Sequence, residues 1–258
     1  MAPFFIFGGI LLLVGVIITA ANLKNFRRRQ RILQTPTSPI AQAPGSGPVE
    51  IKGRIVPGEQ GVLQTPFSGR HAVWCRVTVL EHRSSGRNSY WATIIKETDQ
   101  REFFVDDGSG QLAKIVPHGA EVILDAQNVA TSGTFNDASP HLQGFLASRG
   151  HSTQTFLGFN KSMRYTEEVL APNDPLYALG FSRRAAGPPV NDGYRMAPSS
   201  QLVLGAGQGE AHELILTNKT EEQLVSRLLW GFVAGLVCVG VSLLCGAVGL
   251  VFALAELM

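Results

Sequence analysis

Cysteine is scarce: three occur in 258 residues, and two of them, Cys238 and Cys245, lie inside one long apolar run, leaving Cys75 alone in the rest of the chain. No disulfide can form within that remainder, which suits a reducing compartment. Cysteine pairs at zinc-finger spacing are missing, and the histidines at 71, 82, 118, 141, 151 and 212 form no HExxH, so no metal site is expected. Ser109 stands between Gly108 and Gly110 without completing GxSxG, so the nucleophile elbow of hydrolases is absent. FFVDDGSGQLAKI lacks the lysine of a phosphate loop and the spaced oxygens of a calcium loop; Asp107 and Gly108 there suit a hairpin turn. LVLGAGQGEAHELIL carries Gly205, Gly207 and Gly209 at the wrong spacing for a dinucleotide fingerprint and suggests a glycine-rich hairpin. No catalytic residue, metal ligand or cofactor is assigned on these grounds.

Charge is absent from residues 3–21 and 228–255, and each run is long enough to cross ~30 Å of hydrocarbon as a helix. Transmembrane helices are expected at 3–23 and 228–255. A signal peptide ending near Ala20 and Ala21 is the competing reading of the first, but no cation precedes its apolar core. Directly behind it stand Lys24, Arg27, Arg28, Arg29 and Arg31, the determinants of topology: cationic flanks stay cytoplasmic, so the middle segment is expected in the cytosol and both termini outside. In the second span Gly231 and Gly235, echoed by Ser242 and Gly246, have the small-xxx-small spacing of close helix contact, with the first span or between copies.

Residues 32–227 hold 17 Lys and Arg against 19 Asp and Glu, a net −2, which argues against nucleic acid as a partner. Residues 24–47 comprise the basic stub and the stretch ILQTPTSPIAQAPGSGP, whose composition predicts a flexible linker.

From Val49 the texture is that of short strands. VEIKGRIV, AVWCRVTVLE, YWATIIKET, EFFVD, QLAKIV and AEVILD crowd into a single stretch, and Cys75 falls at an inward position of the second. RSSGRNS between two of them is expected to be a mobile loop. SPHLQGFLASRG predicts a helix with Ser139 as N-cap, Pro140 in the first turn and Leu142, Phe145 and Leu146 on one face. Further strands are expected at MRYTEEVL, PLYALGFS, GYRMAP, QLVLG and HELILTN. A capping box, Thr220 with Gln223, then opens a helix that runs into the second span. The expected fold is mainly β: a compact barrel or sandwich with one or two short helices over residues 48–226, flanked by two transmembrane helices.

VEIKGRIVPG followed by LQTPFSGRHAVWCRVTVLE, then EFFVDDGSGQLAKIVPHGAEV and YTEEVLAPNDPLYALGFS, resembles the GIDE family, also called the beside-a-membrane (BAM) domain, over residues 48 to about 250. The resemblance implies a β-rich domain next to a bilayer, related to membrane-bound E3 ubiquitin ligases of organelle envelopes. Those ligases continue into a zinc-binding RING after the second span. With one cysteine outside the apolar runs, this chain is expected to be RING-less, similar to prokaryotic-type members, and not to carry ligase activity itself. A non-enzymatic binding or scaffold module at the cytosolic membrane surface is therefore expected, touching the bilayer and an unidentified protein. The candidate contact surface is Pro66, Phe67, Ser68 and Gly69, or the RSSGRNS loop. The alternatives are an accessory of a ligase-like system and a membrane-surface hydrolase.

Overall fold

The computed structural model describes residues 2–133, 136–154, 160–186, 190–191, 196–197, 200–207 and 213–257. In chain order the elements are α1 (Ala2–Gln34), a 3-10 turn (Ile40–Gln42), β1 (Ser46–Pro57), β2 (Leu63–Gln64), β3 (His71–Ala72), β4 (Trp74–Ser85), β5 (Asn88–Gln100), β6 (Phe103–Asp106), β7 (Leu112–Val116), β8 (Glu121–Val122), β9 (Gln127–Ser132), α2 (Pro140–Ala147), β10 (Met163–Leu170), β11 (Pro175–Ala186), β12 (Val190–Asn191), β13 (Met196–Ala197), β14 (Ser200–Gly205), β15 (Ile215–Thr217) and α3 (Glu221–Leu257). They form two compact units, Met1–Pro36 with Lys219–Met258, and Thr37–Asn218.

In the first unit α1 and α3 pack antiparallel, since Gly8 lies beside Ser242 and Cys245 while Phe26 stacks on Phe232 with ring centroids 4.3 Å apart. Both helices are long and apolar enough to cross a membrane. A core helix of a soluble protein buries most of its apolar length, whereas the most apolar windows here are 11% and 17% buried. Ile6, Phe7, Ile10 and Leu13 on α1 and Leu243, Leu244 and Val251 on α3 stand exposed. The capping box forms as expected: the Gln223 N–H donates to Thr220 Oγ1 and the Thr220 N–H to Gln223 Oε1, each at 3.4 Å.

The second unit is built on a closed five-stranded barrel. β1 pairs with β6, β6 with β7, β7 with β14, β14 with β11, and β11 returns to β1; the β7–β14 pair alone is parallel. Taken in order of appearance the ring reads first, second, third, fifth, fourth, a Greek-key order as in OB-type barrels. Period-two alternation fills the interior with Ile51, Ile55, Phe103, Val105, Ala113, Ile115, Leu202 and Leu204. β1 exchanges β11 for β6 as a neighbour at Arg54. The preceding Gly53 permits that passage, because a Cβ there would stand 2.7 Å from Val105 Cγ1 and 2.8 Å from the Asp106 carbonyl carbon.

A second sheet, in the order β5-β4-β10-β9, grows from the barrel. The barrel-proximal ends of β4 and β10 place Trp74 and Leu170 in the barrel core. Farther along, Val77, Val79, Ile95, Met163 and Tyr165 turn to one face, which α2 covers with Leu142, Phe145 and Leu146. α2 starts as its sequence predicts, with Ser139 Oγ accepting from the Leu142 N–H and Pro140 in the first turn.

Three expectations are corrected. The stretch expected to be a flexible linker is docked: α1 runs on to Gln34, and Ile40 and Ala43 are buried in the barrel core. Proline-fixed backbone and two apolar side chains suffice once a cleft exists to receive them. RSSGRNS is paired strand instead of loop; β4 and β5 stay paired to Ser85 and Asn88, closing on a two-residue turn whose first position, Gly86, takes φ of 61° as type II′ requires. The glycine-rich hairpin is not one either. β14 and β15 run in the same direction along one edge of β11, so they are not the two arms of a hairpin, and residues 208–212 between them lie outside the described residues. Of GYRMAP, Met196 and Ala197 pair with β12, and the rest lies outside the described residues.

Candidate functional site

Pro66, Phe67, Ser68 and Gly69 lie in the turn joining β2 to β3, and a buried carboxylate organises them. Glu167 of β10 is 2% exposed, and its Oε1 accepts from the Phe67 N–H at 2.7 Å and the Ser68 N–H at 3.2 Å, while Oε2 accepts from Ser68 Oγ at 2.5 Å. Thr65 closes the turn: its N–H donates to the Arg70 carbonyl at 2.9 Å, and its hydroxyl accepts from the Arg70 N–H and meets Ser68 Oγ at 2.8 Å. Gly69, at φ of 67°, permits the reversal. Phe67 packs edge-on against Phe145 and Tyr165, at 4.9 and 5.5 Å between centroids. The ring His141 N–H donates to the Pro66 carbonyl, which ties α2 to the same turn. Ser68 and Gly69 remain exposed at the tip.

The hairpin turn between β6 and β7 performs a similar service. Asp107 Oδ2 accepts from the Ile40 N–H at 2.7 Å, Asp107 Oδ1 from the Ser109 N–H at 2.9 Å, and Ser109 Oγ from the Ala41 N–H at 3.2 Å. Desolvation alone would raise the Asp107 carboxyl, but the bonds from Ser109 and from the Ile40 backbone outweigh it and hold it below its ordinary value. Nearby, buried Glu50 accepts from Tyr177 OH at 2.6 Å and from the Thr37 hydroxyl, and Lys52 Nζ lies 3.2 Å from it and 2.9 Å from Thr37 Oγ1. These two clusters hold the segment that leads into β1.

Cys75 is buried on β4, and desolvation pushes its thiol up to about 11, which suppresses thiolate and nucleophilicity. Among the described residues no three His, Cys, Asp or Glu side chains gather as a metal site.

The sheet face opposite α2 is polar and shallowly concave, about 540 Å3, with Arg76, Lys96, Arg164, Thr78, Thr166 and Glu168 around it. Arg76 pairs with Glu168 at 3.1 Å and lies over the Trp74 ring at 4.9 Å; Arg164 lies over Trp91 at 4.6 Å. Outward parity of Arg76 and Arg164 is legible from strand alternation, but their convergence depends on register across strands. Glu167 did leave a trace, an acid at the inward position after Met163 and Tyr165.

In the helical pair, Gly231 faces Asn22 and Gly235 faces Thr19, where a Cβ would come 2.7 Å from the Thr19 backbone nitrogen. Ser242 Oγ donates to the Gly8 carbonyl at 2.7 Å, whereas Gly246 is the next small residue on that seam, its nitrogen 3.9 Å from a Cβ built at Gly8. Lys24, Arg27, Arg28, Arg29 and Arg31 all lie toward the C-terminal end of α1.

A family model described as GIDE, E3 ubiquitin ligase, matches residues 76–249, more than half of the chain. No curated protein and no solved structure matches it.

Proposed function

Because the chain belongs to the GIDE family, we propose that it is a membrane-anchored binding module, with two spans holding a β-rich domain at the cytosolic membrane surface and both termini outside. Its task is to bring a protein partner to the bilayer rather than to catalyse. The observation that carries this reading is where the reactive-looking groups are spent. Glu167 accepts backbone N–H groups at one oxygen and the Ser68 hydroxyl at the other, both oxygens of Asp107 accept backbone N–H groups, His141 bonds the Pro66 carbonyl instead of Ser68, and the Cys75 thiol is pushed away from ionisation. The exposed apolar flanks of α1 and α3 support lipid as their solvent. Confinement to a surface raises the effective concentration of a domain toward partners on the same surface.

The family description favours one specific form of this reading, an accessory that supplies clients to a separate ubiquitin-ligase-like subunit. The test is in-membrane crosslinking of the full chain followed by mild detergent extraction and identification of what is bound. Recovery of a defined partner in stoichiometric amount supports the scaffold, and a zinc-bearing ligase among them supports the accessory form. Elution without any partner, or release from membranes by alkaline carbonate, overturns the reading.

A further inference from the structure

We propose that the outer face of the β5-β4-β10-β9 sheet docks an extended acidic segment of a partner protein, an inference that rests on the binding-module reading above. The register places Lys96 opposite Thr78, Thr78 opposite Thr166 and Thr166 opposite Asn128, so one polar row crosses all four strands. Arg76 and Arg164 flank that row on either side. Val77, Val79, Ile95, Met163 and Tyr165 turn to α2, whereas the outer concavity is lined by three cations and the single carboxylate of Glu168, a net +2, with Leu80 among its neutral residues. Residues 32–227 sum to −2 from 17 Lys and Arg against 19 Asp and Glu, so this face opposes the sign of the domain that carries it. That local reversal selects an anionic partner.

Spacing selects its shape. Arg76 stands opposite Glu168 and Leu80 opposite Arg164, which separates the two arginines by four residues along the strand direction, roughly 13 Å. Side chains on one side of an extended peptide recur every ~7 Å, so carboxylates at i and i+4 span the same distance. A single small anion cannot reach both ends, and the concavity is open rather than enclosing. Both arginines are pre-positioned, Arg76 by Glu168 and Trp74, Arg164 by Trp91, which lowers the ordering cost of binding. Single-stranded nucleic acid also carries regular charge, but it needs free stacking platforms. Trp91 is taken by Arg164 over its ring and by His82 at 5.1 Å, and Glu168 repels phosphates.

The full-length protein in nanodiscs of zwitterionic lipid is titrated into a fluorescein-labelled decapeptide alternating Glu and Thr, one alternating Lys and Thr, and oligothymidylate of ten residues, read by anisotropy. The acidic peptide alone should bind saturably, more weakly as salt rises. Lys96→Glu with Arg164→Glu should weaken it about tenfold or more and create affinity for the basic peptide. Lys96→Glu alone, at an exposed side chain with no ion pair among the described residues, should shift both affinities in the same directions and guards against misfolding of the double variant. Unchanged affinity in folded variants, equal binding of both peptides, no saturable binding, or preference for oligothymidylate each overturns the proposal. Failure here while crosslinked partner is still recovered from membranes leaves the scaffold reading standing; loss of that recovery removes the scaffold reading itself.

Discussion

Single residues decide how the turns of the β-rich unit are held. Glu167 is buried and bonded at both oxygens to the turn containing Phe67 and Ser68. Glu167→Ala strands the Phe67 and Ser68 N–H groups and leaves the Ser68 hydroxyl with Thr65 alone, and is expected to cost about 2–4 kcal/mol in urea denaturation of the full chain in detergent, against about 1 kcal/mol for Ser68→Ala. Similar losses for the two would show that the carboxylate does not organise the turn. Asp107 supplies a pH dependence with a definite sign. Its folded-state pKa is depressed, so its stabilising bonds are complete above the ordinary carboxylate value near pH 4 and are lost as pH falls through the depressed value. Amide-exchange protection factors at Ile40 and Ala41 should therefore decline below about pH 4 in the wild type and be low and pH-independent in Asp107→Ala. At this scale the sequence was half legible. An acid at an inward strand position, as in MRYTEEVL, signals a buried partner, whereas Glu50 has the same parity as the solvent-facing Lys52 and Arg54. It is buried because residues 37–43 lie over it, which no local pattern records.

Secondary elements were legible wherever hydrogen bonding is local. The capping box at Thr220, the N-cap at Ser139 and the apolar face of α2 arise from side chains three or four residues apart, so their spacing carries the information. Both arms of the β4–β5 hairpin were legible, but its outer end was not, because RSSGRNS has loop composition; cross-strand pairing continues through it to Ser85 and Asn88, and Gly86 provides the turn. The seam between α1 and α3 gives an element-scale prediction. A Cβ built at Gly8 lies 3.8 Å from Cys245 Cβ, the mean separation in a disulfide. Gly8→Cys should therefore crosslink to Cys245 within one chain under copper-phenanthroline oxidation in membranes, and Gly235→Leu added to it should abolish the bond by driving the helices apart. A product of doubled mass would instead place this seam between copies.

For the whole molecule the decisive measurement is topology. Asn160-Lys161-Ser162 and Asn218-Lys219-Thr220 are glycosylation sequons in the β-rich unit and at its exit. In a eukaryotic membrane system both should stay unmodified, and the unit should be digested by protease added to the cytosolic side alone. Glycan at either site would reverse the orientation. What the sequence determined by itself was everything set by solvent and by neighbours along the chain: two apolar helices, the cationic flank behind the first, alternating strands and helix caps. Lipid and water sort side chains by polarity over short windows, so composition is sufficient there. Only tertiary structure decided that five strands close into a ring, that a proline-rich stretch docks into it, that β14 and β15 share one edge of β11, and that Arg76, Lys96 and Arg164 meet on one face. Each of these joins residues far apart in the chain, where register and closure depend on the simultaneous packing of every other strand.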